Sequence, residues 1–285
     1  MKRDFTATKN GDLIKEIQEQ FPKINYNQIK TSLRKKDIKI NGKKVSQSTE
    51  IFVGDYIEIF LPADKPKTIN KIFEDDNVII AFKPQGMEVT KKDKAFDSLT
   101  LEELVQASAV HRLDKNTEGL VVLAKNEMAK NELIKAFKSG QVSKKYLAIV
   151  SGKVKPKACL TAYLKKDAEH NIVKVYSTPQ TDAVQIKTNY NLLSSSGELS
   201  VIEIELLTGK THQIRAHLRH EKIYVLGDEK YGDKQINNRY REKKQCLCAY
   251  YLKFSFNKSS PLFYLNEKVF KVEPTFKKLT IFNEI

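Results

Sequence analysis

His111-Arg112-Leu113-Asp114-Lys115-Asn116-Thr117-Glu118-Gly119-Leu120, running on into Val121-Val122-Leu123-Ala124, is the stretch on which the reading of this chain turns. A polar decapeptide carrying a cation, a carboxylate and a glycine feeds into an apolar run of strand length, the pattern of a turn entering a buried β-strand. In extended backbone alternate residues share a face, so Arg112 and Asp114 can point the same way while Leu113 goes into the core. A carboxylate fixed at the lip of a rigid strand is placed to do chemistry. On these ten residues alone the plainer reading is a turn carboxylate in a surface ion pair, an interaction of small energy. The neighbouring segments have to decide.

Upstream, Ile72 to Asn77 followed by Val78-Ile79-Ile80-Ala81-Phe82 and Lys83-Pro84 reads as strand, acidic turn, buried strand and stop. Downstream, Ala129, Leu133 and Phe137 space a helix over 126–138 that Gly140 ends. Lys144 to Val150 then begins a strand, in which Tyr146 is by default a packing residue with a satisfied hydroxyl. Alternation over 172–176, 183–188 and 199–207 gives antiparallel strands. In Thr208-Gly209-Lys210-Thr211-His212-Gln213-Ile214-Arg215-Ala216-His217-Leu218-Arg219 the glycine breaks the strand and Thr211 is placed to cap a helix. Ile214 and Leu218 form that helix's buried stripe, with Arg215 and Arg219 on an adjacent face.

Taken in order, these segments resemble the RluA-type pseudouridine synthases. HRLDKNTEG and VVLAKN follow that family's HRLD, two variable positions, T-S-G and hydrophobic strand ending A-K, with Glu118 where the family usually carries Ser. Lys83-Pro84-Gln85-Gly86 is similar to its K-P-x-G, Lys144 to Val150 to its K-x-Y-x-A-x-V, and Thr208 to His217 to its T-G-R-T-H-Q-I-R-x-H, Lys210 replacing Arg. Leu226 to Gly232 matches G-D-x-x-Y-G, and Leu247-Cys248-Ala249 aligns with a strand that usually reads L-H-A, so Cys248 replaces a histidine and is expected to pack. The resemblance implies an α+β pseudouridine synthase fold, a long mostly antiparallel mixed sheet with flanking helices. It implies isomerisation of uridine in RNA to pseudouridine, without cofactor or metal. It implies that Asp114 is the nucleophile or charge partner at the ribose or base, that Arg215 pairs with it, and that Tyr146 lies against the uracil and moves a proton at C5. Arg112, Thr117, Lys210 and His212 are implied as contacts to RNA or base, with Arg112 filling the gap left by a flipped nucleotide or holding a phosphate.

The formal net charge of +15 fits a polyanion partner, provided the lysines cluster. They do. Leu13, Ile14 and Ile17, then Ile29 and Leu33, space two short amphipathic helices, and Lys30, Arg34, Lys35, Lys36, Lys39, Lys43 and Lys44 follow with only Asp37 against them. The turn Asn41-Gly42 and the alternating strand Tyr56 to Phe60 complete a unit that resembles the small N-terminal S4 (αL) RNA-binding domain. Lys30, Arg34, Lys35, Lys36 and Lys43 are its candidate RNA contacts. Pro62 to Lys67 reads as a stiff linker, dividing the chain into residues 1–66 and a catalytic domain over 67–285. Cys159, Cys246 and Cys248 are too few and badly spaced for a disulfide framework or zinc ribbon and read as reduced core cysteines. His212 and His217 lack a third ligand at metal spacing. With no apolar run of about 18 residues and no signal-like N-terminus, the chain is expected to be a cytoplasmic monomer away from membranes. The family analogy points to large-subunit ribosomal RNA, with tRNA as the other substrate. A non-catalytic RNA-binding or ribosome-assembly factor is the competing class, and a metal-dependent nuclease lacks the clustered carboxylates it would need.

Overall fold

The structure, a computed structural model, describes residues 2–22, 24, 26–60, 68–91, 99–167 and 172–282; the linker expected at Pro62 to Lys67 lies outside them. The chain divides into two compact units, Met1–Thr68 with Lys91–Leu99, and Ile69–Thr90 with Thr100–Ile285.

In the first unit, Asp12 accepts hydrogen bonds from the N–H groups of Ile14 and Lys15 and so caps the helix Leu13–Gln20. The helix Tyr26–Arg34 follows. Leu13, Ile14, Ile17, Ile29 and Leu33, whose spacing predicts the pair, are all buried in one cluster with Ile38, Ile57 and Ile59. Strands Ile38–Ile40 and Lys43–Val45 join through Asn41 at φ +50° and Gly42 at φ +77°. Both residues are left-handed, as the tightest hairpin turn requires. Strand Tyr56–Phe60 lies between Ile38–Ile40 and Lys2–Thr6. The sequence pattern does not announce Lys2–Thr6, because Phe5 stands alone among charged and polar residues; pairing to Tyr56–Phe60 and the Lys2–Glu58 ion pair hold it. Lys30, Arg34, Lys35, Lys36, Lys43 and Lys44 are exposed.

The second unit is organised by one long sheet. From edge to edge it runs Ile172–Tyr176, Lys157–Asp167, Val184–Ser196, Leu199–Leu206, Val142–Ser151, Leu247–Phe254, Glu118–Ala124, Val78–Lys83 and Lys71–Glu74. Every neighbouring pair is antiparallel except Glu118–Ala124 beside Leu247–Phe254, which makes the sheet mixed. Glu118–Ala124 is buried along its whole length, which is why it reads as a continuous apolar run. Val121 and Leu123 face a cluster containing Ile214 and Leu218 of the helix Gln213–His220. Leu120, Val122 and Ala124 face Ala129 and Leu133 of the helix Glu127–Lys138, capped by Asn126.

Two segments differ from expectation. Lys157–Asp167 is an eleven-residue strand with lysines at both ends, small residues such as Ala158 and Ala162 within it and half-buried faces, which leave little apolar signal. Val184–Ser196 runs well past residue 188, because Ser194, Ser195 and Ser196, loop-like by composition, pair with Val201, Ser200 and Leu199 across Gly197. Cys246 and Cys248 are buried as expected, whereas Cys159 corrects the core reading: it is exposed on the half-covered strand Lys157–Asp167. Among the described residues no helix is long and apolar enough to cross a membrane.

Gly119 shows why the polar turn needs a glycine where it enters the strand. Its φ is +122°, and a Cβ there would sit 2.3 Å from the carbonyl oxygen of Ala249, inside the parallel pairing. Gly119→Ala is therefore expected to destabilise the second unit by at least about 3 kcal/mol, from strain and the forced separation of two central strands. Denaturant unfolding of the two proteins measures it; an unchanged midpoint would contradict the close approach.

Candidate active site

Asp114, Tyr146 and Arg215 come from a loop, a strand and a helix, yet all three line one cavity of about 260 Å³. Arg112, Thr117, Lys210 and His212 line it too, so every residue predicted for this site from the second unit converges there. Lys30, Arg34, Lys35, Lys36 and Lys43 belong to the first unit.

The Asp114 loop is braced from three directions. Its turn closes through Thr117 N–H to the Asp114 carbonyl at 3.0 Å. Lys83, fully buried, donates to the carbonyls of Pro84, Met87 and Lys115 at 3.0, 3.0 and 3.1 Å, and Gly86 N–H also donates to Lys115. The Thr117 hydroxyl accepts from Gln245 at 2.7 Å. Burial pushes the Lys83 ammonium down to about 8, against the opposing pull of Asp114, Glu118 and Glu88.

Arg215 meets Asp114 with Nη1 donating to Oδ2 at 2.8 Å. The other side of the guanidinium is held by Asp228: Nε donates to Oδ2 at 2.6 Å and Nη2 to Oδ1 at 2.9 Å. Asp228 Oδ1 also accepts from the N–H groups of Lys230 and Tyr231. Burial alone would raise the Asp228 carboxyl, but Arg215 and these N–H groups outweigh it and hold it below the ordinary value. The guanidinium lies 4.9 Å from the centre of the Tyr231 ring. Asp228 and Tyr231 were not among the predicted site residues; their signal was the Gly227 to Gly232 segment, a G-D-x-x-Y-G match to which the sequence assigns no role.

His212 stands beside this pair, Nε2 3.9 Å from Asp114 Oδ1 and Nδ1 2.9 Å from the Tyr231 hydroxyl. Burial lowers its pKa, and Asp114 opposes that, so it is neutral at physiological pH. Thr211 does not cap the following helix, a correction to the expectation: the helix begins after His212, which is left-handed at φ +54° and makes no side-chain cap. The Gln213 amide oxygen instead accepts from Lys210 N–H and the Thr208 hydroxyl, closing the loop upon itself. Tyr146 is buried under the cavity, and burial, reinforced by Asp114, pushes its phenol far above the ordinary range.

The two main departures from the family pattern fall together. Glu118 and Cys248 are partners across the parallel pairing, both buried. Glu118 accepts from the N–H and hydroxyl of Thr275 at 2.7 and 2.6 Å, pinning the C-terminal segment. Cys248 packs among Leu147, Leu226 and Phe276 while its neighbour Leu247 faces the cavity. Among the described residues no His, Cys, Asp and Glu side chains cluster as metal ligands would.

A loop carboxylate paired with a helical arginine thus shares one cavity with a buried strand tyrosine in the long mixed sheet. Comparison with known proteins gives the class. Residues 77–220 match the family described as RNA pseudouridylate synthase. An uncharacterised RNA pseudouridine synthase of Mycoplasma genitalium is 36% identical over 219 residues, covering 70% of this chain and 67% of that one. Ribosomal large subunit pseudouridine synthase D of Borreliella burgdorferi is 30% identical, covering 91% and 87%. Ribosomal large subunit pseudouridine synthase C of Rickettsia bellii is 32% identical, covering 79% and 83%. The human RNA pseudouridylate synthase domain containing 1 structure shares the fold, with a TM-score of 0.62 over 78% of this chain and 91% of that one at 19% identity. The chain belongs to the RNA pseudouridylate synthase family and is an RNA pseudouridine synthase.

The buried Lys83 yields a pH test. Its folded value, about 8, lies below the ordinary 10.5. Between these values the unfolded chain holds a proton that the folded chain has released, so the Lys83 contribution makes stability rise with pH across that window. Lys83→Met should lose this rise and take away the buried donor shared by the Pro84, Met87 and Lys115 carbonyls, a cost of about 1–3 kcal/mol at neutral pH. Urea midpoints of both proteins from neutral pH to about 10 read the difference; parallel curves would contradict it.

Proposed function

We propose that the chain converts uridines of large-subunit ribosomal RNA to pseudouridine, with Asp114 as the group that engages the flipped nucleotide. The observation that carries this is the Arg215–Asp114 pair at 2.8 Å, aimed into a cavity floored by Tyr146. The reaction breaks the N-glycosidic bond, rotates the uracil and makes a carbon–carbon bond, so it needs a positioned carboxylate and a snug base pocket and involves no net redox change. Asp114 attacks the ribose or the base, or deprotonates the sugar. Arg215 aims that carboxylate through a fixed fork of donors. Tyr146 offers its ring to the uracil. Burial beside Asp114 keeps its phenol protonated, which suits it to packing against the base. Arg112 and Lys210, exposed at the cavity, meet RNA phosphates, and His212 serves as a neutral hydrogen-bonding group beside Asp114.

The large-subunit substrate is supported by the names of the Borreliella and Rickettsia relatives. The reading includes a monomeric enzyme acting in the cytoplasm, where ribosomal RNA is found. Residues 1–66 act as an S4-like RNA-binding module, supported by two short helices, the hairpin through Asn41 and Gly42 and the exposed basic side chains from Lys30 to Lys44. Retention of Asp114, Tyr146 and Arg215 in one cavity argues against a purely binding role, because a binder of polyanions gains nothing from a carboxylate facing its ligand.

Asp114→Asn should abolish pseudouridine formation while leaving the fold and RNA affinity nearly intact, since it removes the reactive oxygen and keeps the shape. Mapping pseudouridines in ribosomal RNA from cells carrying either form measures it, and product at the wild-type level would sink the assignment.

Deleting residues 1–66 should weaken binding to long structured RNA and flatten its salt dependence, by roughly 0.7 to 0.9 in the slope of log K against log salt for each phosphate that is no longer neutralised. Single-turnover rates on a short stem-loop should persist. An unchanged slope would make the basic ridge a solvated surface, and a collapsed rate would mean that the module helps to build the catalytic site.

A further inference from the structure

The helix Gln213–His220 serves two cavities. Ile214 and Arg215 face the catalytic one, while Ala216, Arg219 and His220, one helical stripe at i, i+3 and i+4, line a second of about 410 Å³. The opposite wall of the second cavity is the strand Ile172–Tyr176, the last of the sheet, and its end is closed by Lys230 and Tyr231. Val173, Ala216 and Tyr231 give it a buried, largely apolar floor, and Lys174, Arg219 and Lys230 give it a cationic rim beside His220. Among the described residues no acidic side chain lines it. Lys174 of the rim pairs with Asp167 at 3.0 Å, and Arg219 Nη1 donates to the Lys230 carbonyl at 3.0 Å.

We propose that this second cavity binds a nucleotide of the same RNA strand flanking the target uridine, its base against Tyr231 and the apolar floor and its phosphate at Arg219 and Lys230. The inference rests on the isomerase reading for the identity of the strand. Its own support is chemical: an aromatic and apolar slot rimmed by cations is the combination that holds single-stranded nucleic acid, bases by stacking and phosphates by charge. Position supports it as well. Tyr231 is common ground, its hydroxyl 2.9 Å from His212 of the catalytic cavity and accepting the Val173 N–H at 2.9 Å from the second cavity's strand. A nucleotide seated there lies one side chain away from the uridine. An extended peptide added to the strand edge is the competing ligand. It is disfavoured because the Val173 N–H that would begin the pairing is already taken by Tyr231, and because the rim favours anions.

The probe is a short single-stranded oligouridylate carrying photoreactive thiouridine at successive positions. Wild type is compared with Arg219→Ala/Lys230→Ala and with the charge-keeping Arg219→Lys/Lys230→Arg, which guards against misfolding as the cause. The alanine pair should bind about tenfold more weakly, with the salt slope reduced by about 0.7 for each phosphate released from a cation. The charge-keeping pair should stay close to wild type, and thiouridine beside the uridine in the catalytic cavity should cross-link to Tyr231 or to the strand Ile172–Tyr176. Unchanged affinity and slope in the alanine pair, no binding of oligouridylate by wild type, or cross-links confined to the catalytic cavity would each overturn the proposal. So would a peptide that occupies the second cavity without displacing oligouridylate. Pseudouridine formation in ribosomal RNA by wild type is followed alongside. Its absence with the cross-links intact would sink the isomerase reading alone; its presence with pocket variants indistinguishable from wild type would sink the pocket alone.

Discussion

Arg215 is shared between two carboxylates, and the chemistry proposed for this fold depends on how that sharing is arranged. Asp228 takes two donors of the guanidinium and leaves Nη1 for Asp114. A buried cation with no partner would be unfavourable, and removing one partner of such a group costs on the order of 3–5 kcal/mol. Here the fully buried carboxylate is the anchor, since Asp228 also accepts two backbone N–H groups and is closed off from solvent. Asp114, partly open to the cavity, inherits its orientation from Asp228 through the plane of the guanidinium. A lysine at 215 would present a point charge and could not transmit a direction.

Asp114 lies on a loop, where positional precision is ordinarily low. The loop gains rigidity from groups buried behind it: the ammonium of Lys83 spans three carbonyls, and Gly86 and Gln245 add further bonds. Lys83 and Gly86 come from one segment and Gln245 from another far along the chain. The cavity wall therefore consists of a few side chains whose supports lie inside the sheet, which is the arrangement that holds a reactive group within the small tolerance chemistry demands.

The lysine excess divides into two uses. One part is exposed on the first unit from Lys30 to Lys44 and suits sequence-independent contact with phosphates. The other part is local to the catalytic unit, at Arg112 and Lys210 beside the catalytic cavity and at Arg219 and Lys230 beside the second. Net charge alone does not separate these, because it counts cations without saying which surface they share.

By itself the sequence determined the elements that report burial by periodicity. The apolar run after Gly119, the helix residues Ala129, Leu133 and Phe137, the hairpin at Asn41-Gly42 and the paired helices of the first unit are local patterns, and a local pattern carries its own face and spacing. The motif residues Asp114, Tyr146 and Arg215 were named through the family resemblance of the short segments that carry them, since their local patterns read as a surface ion pair, a packing tyrosine and a helix face. Tertiary structure alone decided what each segment meets. Arg215 and Asp114 are 101 residues apart, and although the family resemblance implied their pairing, nothing in the sequence states that Asp228 completes it. The parallel pairing of Glu118–Ala124 was likewise hidden, since its partner strand is distant in sequence, and so were the strands Lys2–Thr6 and Lys157–Asp167, whose side chains are only half covered. The physical reason is common to all of them: periodicity records how much of a side chain is buried, whereas the identity of the group that buries it is a property of the folded chain.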